Sequence, residues 1–148
     1  MDEIRPWLFI GKYRDTLDKY NLDIKSIKAM LQLAEKVEQE GIVSLYLPVE
    51  DLAPLQIEHI KKGVEFIKEH YGKQHRILIS CGAGINRSTA FCMIALKEIE
   101  GMGLMDAYRE IKQRHPDSFP HEPVWNSLCN YYGENIPYID VIRLNTYK

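Results

Sequence analysis

The chain is 148 residues long, with 45% hydrophobic and 27% charged residues and a formal net charge of −2. That length bounds one folded unit with enough core to stand without disulfide or metal staples, and the composition is that of an ordinary globular protein. The near-neutral balance gives no bulk reason to expect a nucleic acid or a membrane as partner, and no apolar run has the length of a leader or a span, so a cytoplasmic chain is expected.

In chain order, Ile4 to Ile10 reads as a first strand ended by Gly11, and Tyr13 to Tyr20 as a helix anchored by Leu17. Lys28 to Leu33 alternates well enough for a second strand, though it also suits a helix running on from Asp23. Val43 to Val49 is a third strand with Pro48 at its edge or end. Pro54 suits a first helical turn, and Ile57, Ile60, Val64, Ile67 and Tyr71 form one apolar stripe beyond it. Ser88 to Glu100, Leu104 to Arg114 and Pro120 to Tyr132 read as three further helices, the first two separated by Gly101 and Gly103. The tail 133–148 is apolar enough to be packed, on its own domain or on a partner chain.

The stretch Arg76 to Ala90 joins these elements to chemistry. Ile77-Leu78-Ile79 is a short β-branched run, a buried strand, and Arg87-Ser88-Thr89 opens a helix. Between them lie Cys81 and the loop Gly82-Ala83-Gly84-Ile85-Asn86. Loop and first-turn N–H groups converging at a helix N-terminus form an anion site, and a guanidinium at Arg87 grips two phosphate oxygens at once. The same positive field favours the thiolate of Cys81, a nucleophile aimed at a bound phosphate. Cysteine, five residues, arginine and serine also arise by chance, and a glycine before a helix often serves backbone geometry alone. Strand before, glycines within and helix after are the context the motif needs. Cys81, Cys92 and Cys129 are odd in number and widely spaced, which fits free thiols in a reducing compartment; Cys92 is expected to be packed and Cys129 at least half-buried. The five histidines show no ligand spacing, so surface or helix-end positions are expected for His59, His70, His75, His115 and His121.

Cys81 to Ser88 resembles the signature of the cysteine-dependent protein tyrosine phosphatases, specifically the small dual-specificity type. Ile4 to Gly11 is similar to that family's opening strand, and Pro120 to Leu128 to its last-helix entry, with His121, Val124 and Ser127 departing from the usual Asn, aromatic and Gln. Ser80 departs more sharply, since the family carries His before its cysteine. The resemblance implies an α/β domain spanning 1–148, with a mixed sheet of about four or five strands flanked by helices and the phosphate loop between the central strand and a helix. It implies Cys81 as nucleophile, Arg87 and the backbone of residues 82–86 (Gly82, Ala83, Gly84, Ile85, Asn86) as phosphate ligands, and Ser88 as hydrogen-bond partner of the sulfur. The general acid is expected on the loop thirty residues before Cys81, at Asp51, with Glu50 and then Asp117 as alternatives; an acidic residue there also suits a helix start. No cofactor and no metal are implied. The expected substrate is a phosphorylated protein, phosphotyrosine first and phosphoserine or phosphothreonine besides. Competing expectations are a phosphate-binding pseudo-phosphatase, a phosphatase of RNA 5′-phosphates or phospholipids, and a sulfurtransferase or arsenate enzyme. Oligomeric state is left open.

Overall fold

A computed structural model describes residues 1–146 of the chain. Where one opening strand is expected there are two, β1 (Asp2–Arg5) and β2 (Leu8–Lys12), paired antiparallel. Pro6, with its fixed φ and missing N–H, turns the chain between them. The expected helix Tyr13 to Tyr20 is also divided: a 3₁₀ turn covers Tyr13–Leu17, and Asp18 then caps α1 (Lys19–Ile24) by accepting from the Asn21 N–H at 3.1 Å. Because the cap restarts the helix, Leu22 and not Leu17 is the buried anchor; Leu17 is half exposed.

Ser26 lies at φ 56, outside helical space, and so the next segment is a strand, β3 (Ile27–Gln32). Edge strand β4 (Val43–Tyr46) is shorter than the predicted 43–49; Leu47 and Val49 still donate to Gln32 and Leu33 carbonyls, while Pro48 has nothing to donate. Helix α2 (Ile57–Gly72) begins three residues after Pro54, which sits in the loop before it. Its buried face is Ile60, Gly63, Phe66, Ile67 and His70, and the expected stripe members Ile57 and Tyr71 are exposed. Strand β5 (Arg76–Cys81) is followed by α3 (Arg87–Glu100), α4 (Leu104–Arg114), α5 (Glu122–Tyr132) and α6 (Tyr138–Thr146). The five-stranded sheet runs β1-β2-β5-β3-β4, parallel except for β1 against β2.

β5 is central and buried on both faces, which is why it reads as an unbroken apolar run. Ile77 and Ile79 face the large core under α2 to α6, whereas Leu78 joins Phe9, Leu22, Ile27 and Met30 on the α1 side. This period of two carries Cys81 to the strand's carboxyl end, where parallel sheets place their ligands. α3 follows directly, nearly all buried, and α2 crosses it closely at Gly63: a Cβ there would stand 2.5 Å from the Phe91 ring.

The tail folds over its own domain. Trp125, fully buried, donates its indole N–H to the Ile136 carbonyl at 2.9 Å, and Val141 of α6 is fully buried. Tyr138 Oη–H donates to Pro120 O at 2.8 Å, and Asn145 Nδ2 donates to Tyr108 Oη, which itself donates to Ser118 O. The tail therefore braces residues 118–120, the segment that lies against the cysteine loop. Tyr147 and Lys148 of the expected extension lie outside the described residues.

Candidate active site

Cys81 ends β5 at 3% exposure, and its Sγ lies 3.2 Å from Ser88 Oγ in the first turn of α3. The loop between them is held from outside by its carbonyls. Gly82 O accepts from Tyr13 N–H at 3.4 Å, Gly84 O from His115 Nε2 at 2.7 Å, and Ile85 O from Phe119 N–H at 2.9 Å and Thr89 Oγ1 at 2.6 Å. In a trans peptide the C=O and the following N–H point in opposite directions. Carbonyls drawn outward therefore turn the next amides inward. Among the described residues no protein group accepts from the N–H groups of residues 82–86. A cluster of unspent backbone donors at a helix N-terminus is a cradle for an anion.

Gly84 is what lets the loop close. It sits at φ 72, and an added Cβ would meet Gly11 O at 3.1 Å and Lys12 Cγ at 3.2 Å.

Arg87 donates from Nη1 to Val49 O at 3.0 Å, and its Nε lies 3.6 Å from Asp51 Oδ1. That Nε is buried without a hydrogen-bond partner among the described residues. Asp51 Oδ1 also accepts from Asn86 Nδ2 at 2.8 Å and from Leu52 N–H at 3.1 Å, which leaves Oδ2 as the oxygen free to carry a proton. Leu52 takes φ 64, a left-handed conformation costing a branched residue about 1–2 kcal/mol.

Asp51, Cys81, Ala83, Ile85, Asn86, Arg87 and His121 line a cavity of about 120 Å³. Glu50 is exposed outside it, and Asp117 lines a different cleft beside His115. A larger cleft of about 560 Å³ lies between α5 and the segment leading to α6, but it holds neither the loop nor Arg87. Chemistry, not size, locates the site.

Two histidines at the site were read from sequence as surface or helix-end residues. His115 does end α4, yet it is buried against the loop. His121 reaches the cavity, and its main-chain N–H donates to Asn86 Oδ1 at 2.7 Å. His70 is buried too, on α2, with Nδ1 at 2.9 Å from His75 Nδ1. The contacts that place His115 and His121 are distant in the chain, so neither carries a local sequence signal.

A strand-end cysteine under unspent amides, with arginine and a carboxylate at the rim, defines an anion-binding loop of an α/β domain with a thiol at its mouth. The catalytic-domain profile of the dual specificity phosphatases matches residues 8–134. Rat dual specificity protein phosphatase 18 is 30% identical over 146 residues, covering 91% of this chain and 70% of the relative. Human dual specificity protein phosphatase 5 is 29% identical over 139 residues; the match covers 91% of this chain but 36% of that longer protein. The crystal structure of human DUSP28 superposes with a TM-score of 0.84 at 20% identity, covering 90% of this chain and 96% of that one. The chain belongs to the dual specificity phosphatase catalytic-domain family.

Proposed function

We propose that residues 1–148 form one catalytic domain that hydrolyses phosphomonoesters on proteins, phosphotyrosine first and phosphoserine or phosphothreonine besides. The observation that carries this reading is the unspent amide cradle of residues 82–86 beside the Cys81 sulfur. Exposed Ile85 gives the cavity an apolar side chain suited to an aryl ring.

In the first step the Cys81 thiolate attacks phosphorus in line. The P–O bond to the leaving group breaks, and Asp51 gives that oxygen a proton, which a poor alkoxide or phenoxide leaving group needs. The inward N–H groups and the Arg87 guanidinium hold the three equatorial oxygens as their charge redistributes. In the second step Asp51, now a carboxylate, takes a proton from water as the water oxygen attacks the cysteinyl-phosphate. The S–P bond breaks, and the Ser88 hydroxyl donates to the departing sulfur.

No helix among the described residues is long and apolar enough to cross a membrane. With three free thiols, one of them the nucleophile, a reducing cytoplasmic setting is the proposed location. Membership in a family of protein phosphatases and an intact nucleophile favour catalysis on proteins over the pseudo-phosphatase, RNA and phospholipid readings.

The test is turnover of an activated aryl phosphate and of phosphotyrosine and phosphothreonine peptides, with Cys81→Ser alongside. Hydrolysis by the wild type, with Cys81→Ser inert yet still binding inorganic phosphate, is expected. Turnover by Cys81→Ser near the wild-type rate overturns the mechanism.

A further inference from the structure

We propose that His115 is a positioning residue that fixes the Gly84 peptide from beneath and so holds the anion cradle in shape, with Asp2 as its outer support. This rests on reading the loop as the phosphate site.

His115 is 6% exposed where α4 ends. Its Nε2 lies 2.7 Å from Gly84 O, and its Nδ1 lies 2.6 Å from Asp2 Oδ2 on β1. A carbonyl oxygen and a carboxylate oxygen both accept. A carbonyl oxygen cannot donate, so the ring's Nε2 carries the hydrogen of the bond to Gly84 O, while its other edge rests on Asp2. Other ionisable groups sharing this cleft are the Met1 amino group, Lys12, Arg14, Asp15 and Asp117.

The point of attachment gives the contact its consequence. Gly84 O and the Ile85 N–H belong to one peptide plane, so drawing the carbonyl down onto His115 directs that N–H up into the cradle. Gly84 already lies in the left-handed region against Gly11 and Lys12, and its peptide has little room for another orientation. Ser80, next to the nucleophile, does not share the task. Its carbonyl accepts from Leu33 N–H at 2.9 Å, and among the described residues its hydroxyl makes no hydrogen bond to the loop. Support therefore arrives from an element 31 residues further along the chain, coupling the loop to β1 through a single imidazole ring.

The experiment measures the affinity of inorganic phosphate, by its protection of Cys81 from iodoacetamide, from mildly acidic to mildly alkaline pH. It compares the wild type with His115→Leu, His115→Gln and Asp2→Ala, each with its melting temperature. His115→Leu is expected to bind phosphate roughly tenfold more weakly, the effect of a buried acceptor losing its donor. His115→Gln, which still offers Gly84 O an N–H, is expected to recover most of that loss. A folded His115→Leu with wild-type phosphate affinity overturns the proposal. Should His115→Leu not fold, Asp2→Ala, altered at a half-exposed side chain, decides: weaker phosphate binding supports the role, and wild-type affinity overturns it. A wild type that binds phosphate without turnover fails the hydrolase reading alone, since the phosphate affinities still decide the role of His115; one that binds no phosphate overturns both.

Discussion

Asn86 Nδ2 donates to Asp51 Oδ1 at 2.8 Å, while Asn86 Oδ1 accepts from the His121 main chain at 2.7 Å. One amide side chain thus ties the last residue of the cysteine loop to the proposed acid and to the entry of α5. Asp51→Asn is expected to slow esters with poor leaving groups by about 10²–10⁴-fold while activated aryl phosphates lose far less. Asn86→Ala should show the same leaving-group dependence with a smaller loss, about tenfold. The check is a series of aryl phosphates of rising leaving-group basicity. Equal losses across the series for both variants would contradict the acid role, and a graded loss in Glu50→Gln would move it to Glu50.

Thiol chemistry should separate the three cysteines. Burial pushes the Cys92 thiol well up, with Cys81 nearby adding to the effect, and burial also raises Cys129. Cys81 alone of the three lines the cavity at the loop, where a small electrophile or phosphate reaches it. Limited alkylation at neutral pH followed by peptide mapping should find the label on Cys81, and inorganic phosphate should protect it. Labelling of Cys92 at a comparable rate in the folded protein would contradict this assignment.

Gly63→Ala is expected to destabilise the protein although alanine is the better helix former. Helix propensity gains about 1 kcal/mol, but the new methyl would lie 2.5 Å from a fully buried Phe91 ring. Overpacking of that kind costs about 1–3 kcal/mol, so a lower denaturant midpoint is the expected outcome. Phe91→Leu in the same chain should restore part of the loss, because it removes the atoms that collide.

His70 makes stability fall at acidic pH. Burial lowers its pKa from the ordinary 6.5, with Glu69 opposing and His75 and Lys73 assisting. The unfolded chain then binds the proton more readily than the native one, so stability rises with pH through the window between the lowered value and 6.5. Above that window the contribution is complete; on acidification it is lost as the unfolded state takes up its proton. Melting temperatures measured across this range should drop by a few degrees toward acid in the wild type. The drop should be shallower in His70→Phe, which has no such group.

The central motif was legible in the residues because its parts are consecutive. An apolar β-branched run, two glycines and a helix start with arginine and serine specify strand, cradle and dipole through local backbone preferences. The long amphipathic helices were legible for the same reason, since a period of 3.6 is written in neighbouring positions. Local signals ended where distant contacts began. Pro6 turns one apparent strand into a hairpin, and Asp18 restarts the helix so that Leu22 takes the buried place expected of Leu17. Asn86 and Asp51 meet across 35 residues, and His115 reaches Gly84 across 31. A histidine at a helix end looks the same in sequence whether it faces solvent or a loop carbonyl. Tertiary packing decided which, because it brought β1 and the end of α4 beneath the loop and left the His115 ring as the donor Gly84 O could use. The sequence alone determined that a cysteine would stand between a buried strand and a glycine loop opening a helix; the folded arrangement decided which side chains, Asn86, Asp51 and His115 among them, meet around that loop.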